Sequence, residues 1–253
     1  MSQFQAVILA AGLGSRLRGF ANGLPKSLMR IGEKTFLQIH LENFQRFGIK
    51  DVIIVVGFKE KMIKKEIDRL GINLNIEFVT SHEYKTTNHG WSLFLTNEAI
   101  AKNPKPLLIA HADTYYQPDI LTTLIESTAE DLVLVDSNFE VITNDELLVF
   151  GEGGRVDSLE YADKAVVNQT CLGEFIGLHK FSYEFSMGFM LYLEQHFTQV
   201  GRNDGYDWLL GRYVHDENVE LRYELIDSPN WINVNHEDDY KAAERIYKEL
   251  NRL

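Results

Sequence analysis

The feature that most constrains this chain is an alternation running through its first 137 residues. Short apolar runs rich in β-branched residues take turns with longer amphipathic stretches. Parallel strands need crossover connections, usually helices, so such alternation is the mark of βαβ units. Strands are predicted over 5–10, 51–56, 75–80, 107–112 and 132–136, with helices over 35–47, 59–70, 91–102 and 119–127. In the first helix Phe36, Ile39, His40, Asn43, Phe44 and Phe47 follow three-and-four spacing, and Gly48 stands where a stop is needed. The inner strands are near-continuous apolar runs, as expected of strands covered by helices on both faces. The predicted fold class is therefore α/β, a Rossmann-like doubly wound, mainly parallel sheet.

Beyond Asp136 the pattern shifts toward strands and turns. Strands are expected over 146–150, 155–161, 173–180, 219–226 and 231–234, with helices over 182–197, 204–214 and 237–250. No Ser- or Pro-rich linker and no internal repeat divides the halves, so they read as two lobes of one domain.

Length and charge narrow the function. A chain of 253 residues, 45% hydrophobic and 25% charged, can bury a real core. Its formal charge of −12 argues against coating nucleic acid or an anionic membrane. The single cysteine, Cys171, rules out an intramolecular disulfide framework and suits a reducing cytoplasm, the expected location. The apolar run from Ala6 to Ala11 is too short to span a bilayer and lacks a basic flank, so it reads as a buried first strand and not a signal peptide.

The strongest local signal follows that strand: Leu9-Ala10-Ala11-Gly12-Leu13-Gly14-Ser15-Arg16-Leu17. Small residues let backbone N–H groups approach a phosphate, and the carboxyl end of a strand is where open α/β sheets bind ligands. Gly-x-Gly alone is equally served by a tight turn. A dinucleotide fingerprint fails at Leu17, and no Walker Gly-Lys-Ser/Thr is present. From Gly12 to Lys34, however, five cations face Glu33 alone, a local +4 that leaves −16 for the remainder. Arg18, Arg30 and Lys34 read as solvated surface. Arg16 in the loop and Lys26 after Pro25 can both point at one polyphosphate.

With Leu24-Pro25-Lys26-Ser27-Leu28, this loop resembles the signature of the nucleotidyltransferase superfamily that makes nucleoside-diphosphate sugars and related compounds. The resemblance implies that Leu9, Ala10, Ala11, Gly12, Gly14 and Ser15 line the nucleotide, and that Arg16 and Lys26 bind the triphosphate and stabilise charge at the α-phosphate. It also assigns Mg²⁺ as cofactor. Asp113, at the tip of the fourth β-run, matches the family's metal-binding Asp, and Asn235, in the late strand-to-helix turn, matches its second ligand. Asn235 also stands where a helix cap would.

Between the third strand and the next helix, Asn88-His89-Gly90-Trp91-Ser92-Leu93 resembles the bend of cytidylyltransferases acting on phosphocholine, inositol phosphate or aminoethylphosphonate. That likeness adds His82, Thr87, Asn88 and Gly90 to the nucleotide contacts and makes CTP the expected nucleotide. Gly173–Leu178 is similar to the acceptor-side strand of the same group. Glu174 there, with Asp207 and the rings of Trp91, Tyr115 and Trp208, are the candidate acceptor contacts, rings offering a face to a cation; core packing and surface solvation are the competing roles. Residues 1–137 are then a nucleotide-binding lobe, and 138–253 a smaller β-rich acceptor-binding lobe with a closing helix.

The implied activity is Mg²⁺-dependent transfer of CMP from CTP to a small phosphate or phosphonate acceptor, with catalytic Arg16, Lys26 and Asp113. The expected partners are those two substrates, with no nucleic acid and no membrane; the assembly considered is a homodimer. Two alternatives fit the same loop: a sugar-1-phosphate uridylyl-, guanylyl- or thymidylyltransferase, and an inactive nucleotide-sensing module.

Overall fold

The structure is a computed structural model describing residues 3–17, 20–21, 23–138, 146–164, 169–226 and 230–250. Arg18, read above as surface, lies outside them. In chain order the elements are β1 (Gln5–Ala10), β2 (Arg30–Ile31), β3 (Lys34–Thr35), α1 (Phe36–Arg46), β4 (Asp51–Val56), α2 (Glu60–Leu70), β5 (Asn75–Thr80), α3 (His89–Phe94), α4 (Asn97–Lys102), β6 (Leu107–His111), β7 (Thr114–Tyr116), α5 (Pro118–Glu126) and β8 (Leu132–Asp136). There follow β9 (Leu147–Glu152), β10 (Arg155–Tyr161), β11 (Cys171–Phe181), α6 (Tyr183–Gln199), α7 (Tyr206–Asp216), β12 (Arg222–Ile226), β13 (Trp231–Asn233) and α8 (Glu237–Leu250).

One nine-stranded sheet organises both halves, in the order β5-β4-β1-β6-β11-β8-β12-β10-β9. Strands β5, β4, β1 and β6 run parallel, and the inner three, β4, β1 and β6, are the near-continuous apolar runs expected of such strands. β11 then enters antiparallel between β6 and β8, so the sheet is mixed beyond β6 and its two halves share one hydrogen-bonded frame. The helix expected over 91–102 is two short ones. The predicted strand 219–226 is cut to Arg222–Ile226.

Two apolar clusters cover the two faces of the sheet, one around Val7, Ile53 and Phe189, the other around Ile8, Leu41 and Ile54. A third, smaller cluster lies off the sheet: Leu17, Ala21, Met29, Ile31, Phe36, Tyr115, Val234 and Ala243. It draws together segments more than 200 residues apart. Four of the contributing segments also carry a polar residue of the site: Leu17 follows Arg16, Met29 lies three after Lys26, Tyr115 two after Asp113, and Val234 precedes Asn235. No helix among the described residues is long and apolar enough to cross a membrane.

Candidate active site

Cβ-free backbone begins the site. Gly14 takes φ +59°, and a Cβ there would lie 2.9 Å from Cγ of Lys26, so glycine both allows the turn and lets the lysine stem cross the loop. Lys26 is thereby laid against the loop that starts at the carboxyl end of β1. From the opposite side, β13 pairs antiparallel with β7, Asn233 against Thr114, and the Val234 N–H donates to the Asp113 carbonyl at 3.0 Å. This small ladder, absent from any local sequence signal, carries Asn235 across the chain to Asp113.

The polar groups converge on one point. Lys26 Nζ donates to Asp113 Oδ2 at 2.9 Å and to Asn235 Oδ1 at 3.0 Å, while Arg16 Nη2 donates to the same Asn235 Oδ1 at 2.9 Å. Burial opposes ionisation of Asp113, but the adjacent Lys26 charge and hydrogen bond overrule it and hold the carboxyl at about 2. The cap of α8 comes from elsewhere: Asp239 Oδ2 accepts from the N–H groups of Asn235 and His236 at 2.9 and 2.7 Å. The side-chain oxygen of Asn235 is therefore aimed at the cations and not spent on the helix.

These residues open onto a cavity of about 730 Å³ along the carboxyl ends of β1, β6 and β8. Of the residues singled out from sequence, Leu9, Ala10, Ala11, Gly12, Gly14, Ser15, Arg16, Lys26, Thr87, Asn88, Asp113, Glu174, Asp207 and Asn235 line it. Three of these already carry structural hydrogen bonds, Asp207 among them, its Oδ1 accepting from the Trp208 N–H at 2.8 Å. Asn88 accepts from the His89 N–H at the start of α3 and donates to the Asn203 carbonyl, and Thr87 donates to the Glu83 carbonyl.

Five others lie off the cavity wall, each for a visible reason. His82 is exposed to solvent beyond β5. Gly90 is buried where α3 meets the backbone of Asp204 and Tyr206. The Trp91 face is covered by the Arg202 guanidinium, 3.8 Å from the ring centre, and its edge packs on Phe197. Tyr115 is buried in the third cluster, its hydroxyl accepting from Gln117. Trp208 turns its Nε1 to Glu160 at 3.0 Å. An aromatic residue next to a motif is as readily core as ligand, and all three rings here serve packing.

The structure also adds wall residues that sequence reasoning missed. Asp136, Glu146 and Asp239 line the cavity beside Glu174, with Tyr161, Phe175 and Trp231. Asp136 is paired with Glu174 across the β8–β11 ladder and accepts from Trp231 Nε1 at 2.7 Å. It stands at a strand's carboxyl tip, as Asp113 does after β6, and that rule would have found it. Burial first, then the charges of Glu146, Asp136 and Asp239, push the Glu174 carboxyl up to about 8. The cavity thus has a basic wall on the β1 side and an acidic wall on the β8–β11 side.

A carboxylate oxygen and an amide oxygen meeting beneath a phosphate-type loop are the donor set of a hard cation such as Mg²⁺, which takes few protein oxygens and completes its shell with phosphates and water. Asp113 and Asn235, brought within 3.0 Å of one lysine nitrogen, fit that ion.

A family model for the MobA-like NTP transferase domain matches residues 6–166, more than half of the chain and the whole basic wall. The chain belongs to this family. Two curated relatives of this NTP transferase domain are informative. A choline-phosphate cytidylyltransferase of Streptococcus pneumoniae is 30% identical over 162 residues, which cover 64% of this chain and 65% of that protein, just under two thirds of its length. A CTP:phosphoglutamine cytidylyltransferase of Campylobacter jejuni is 27% identical over 192 residues, 71% of this chain and 74% of that protein. The solved CTP:phosphocholine cytidylyltransferase from Streptococcus pneumoniae superposes with a TM-score of 0.73 at 23% identity, covering 97% and 99% of the two chains, and so shares the fold.

Proposed function

We propose that this NTP transferase domain transfers CMP from CTP to a small phosphate- or phosphonate-bearing acceptor that also carries a positive charge, releasing pyrophosphate. The observation that carries the reading is Lys26 held between Asp113 and Asn235 in a cavity whose other wall is acidic. The two cytidylyltransferase relatives, one named for choline phosphate and one for phosphoglutamine, support CTP and a small phosphorylated acceptor.

The chemistry asks little of the protein beyond placement and charge. An acceptor phosphate with a second pKa near 6 is largely dianionic at neutral pH, so its oxygen attacks the α-phosphorus without a protein base. That new P–O bond forms as the bond from the α-phosphorus to the bridging oxygen breaks, and pyrophosphate leaves with the electron pair. Arg16 and Lys26 supply fixed positive charge where the three phosphates and the developing charge lie. The loop Gly12–Arg16 holds the triphosphate so that attacking and leaving oxygens are in line. Mg²⁺, when bound by Asp113 and Asn235, neutralises phosphate charge and fixes its orientation.

The acidic wall selects the acceptor. Glu174 is neutral at pH 7 while its three carboxylate neighbours surround it, and an incoming cation makes its ionisation favourable. Acceptors bearing only phosphate meet repulsion there.

The test is pyrophosphate release with CTP, UTP, GTP, ATP and dTTP, each crossed with phosphocholine, aminoethylphosphonate, phosphoglutamine, inositol phosphate and glucose 1-phosphate. The expected result is turnover with CTP and a cationic acceptor. Faster turnover with UTP or GTP and a sugar phosphate overturns both halves of the reading, and no turnover in any well favours a nucleotide-sensing module.

A further inference from the structure

Beside the phosphate-binding groups, three side chains of different origin meet on the same cavity wall: His89 at the start of α3, His111 at the end of β6 and Asp207 in the first turn of α7. One donor atom from each lies within 4.8 Å of the other two. We propose that His89, His111 and Asp207 form a second metal site, selective for a divalent transition ion of the zinc type, separate from the oxygen donors Asp113 and Asn235.

The donor chemistry sets the ion. Two imidazole nitrogens and one carboxylate oxygen suit zinc, whereas Mg²⁺ prefers oxygen alone. Donors around tetrahedral zinc stand roughly 3.3 Å apart, so a modest rotation of the two rings brings the three into range.

The surroundings favour this arrangement over a packing accident. Nδ1 of His89 is buried with no hydrogen-bond partner, and Nε2 is 3.7 Å from Asp207 Oδ1, too far for a hydrogen bond. Gly205, just before α7, has ordinary φ −73°, so its backbone does not demand glycine. Yet a Cβ there would stand 2.5 Å from both Asp207 Oδ1 and His89 Nε2. The missing side chain is what lets the two donors approach each other. The ring of His111 is fixed by the Tyr206 hydroxyl at 2.7 Å from Nε2, the kind of outer contact that orients an imidazole ligand. Three protein donors on a cavity wall leave the ion's remaining positions toward the space that takes substrate.

The experiment uses the chelator-treated full chain with Cys171→Ser, which removes the exposed free thiol as a competing zinc ligand. Zn²⁺ binding is measured by calorimetry, and Co²⁺ binding by its visible absorption, which reports low coordination number and nitrogen ligation. One equivalent is expected. His89→Gln and Asp207→Asn should each weaken binding at least ~10-fold, and Asp113→Asn should not. Circular dichroism qualifies each variant as folded, and either of the two ligand variants alone suffices for the comparison. Equal affinity in wild type and a folded ligand variant, or loss of the ion with Asp113→Asn, overturns the site. Neither result touches the transferase reading, which is measured with Mg²⁺ as pyrophosphate release.

Discussion

Two carboxyl groups of one cavity, Asp113 and Glu174, are driven in opposite directions. Both are at least partly buried, so desolvation pushes each toward the neutral form. Asp113 nevertheless ionises down to about 2 because Lys26 touches it, whereas Glu174 stays protonated up to about 8 because its neighbours are Glu146, Asp136 and Asp239. Burial is common to both; the sign of the nearest charge decides. The contrast gives the two walls separate tasks. On the proposed function, one wall offers the cations Arg16 and Lys26 to a triphosphate, and the other holds excess negative charge that a cationic acceptor relieves.

The largest expected effect breaks the basic wall. Lys26→Ala should lower kcat on the order of 10²–10³-fold, the usual cost of removing a charge that acts on the developing transition state, with the far-ultraviolet spectrum unchanged. Near-normal pyrophosphate release would remove Lys26 from the mechanism. The acidic wall is probed next: Glu174→Gln should raise KM for a cationic acceptor about 10-fold, the ~1.4 kcal/mol expected of one charge-assisted contact, and leave KM for CTP unchanged. Equal changes in both constants would erase the division of labour.

Stability against pH separates the walls by sign. Glu174 has a folded pKa raised from 4.5 to about 8, so the folded protein binds the extra proton between those values and stability falls as pH rises through them. Glu174→Gln should therefore gain a few degrees of Tm relative to wild type at pH 8 and lose that advantage below pH 4.5. Asp113 behaves oppositely in chelated protein. Its folded pKa lies below the unfolded 3.8, so its contribution is present above pH 3.8 and disappears as pH falls through about 2. Asp113→Asn should flatten this acid limb by about 2 kcal/mol; an unchanged slope in calorimetric unfolding between pH 4 and 2 would separate Asp113 from Lys26.

Much of this was legible from the chain. The strands β1, β4 and β8 coincide with their predicted limits because buried inner strands are short, apolar and β-branched, and edge strand β5 does so because its residues alternate. Lys26, Arg16 and Asp113, which the structure brings together with Asn235, could be singled out because they sit at a strand end and in a glycine turn, where local sequence speaks. Trp91 and Tyr115 went astray because a ring's role depends on which surface its neighbours cover. Arg202 is 111 residues from Trp91, and nothing local announces it.

By itself the sequence determined the parallel core and the basic loop with its candidate cations Arg16 and Lys26, since these follow from periodicity and residue chemistry within a few dozen positions. Only the tertiary structure decided how the remaining acidity is distributed. β11 enters antiparallel between β6 and β8 and sets Glu174 opposite Asp136. The β7–β13 ladder brings Asn235 to Asp113. Those pairings join residues 38 to 122 positions apart, and a carboxylate's charge state depends on who stands beside it in space, which sequence spacing does not encode.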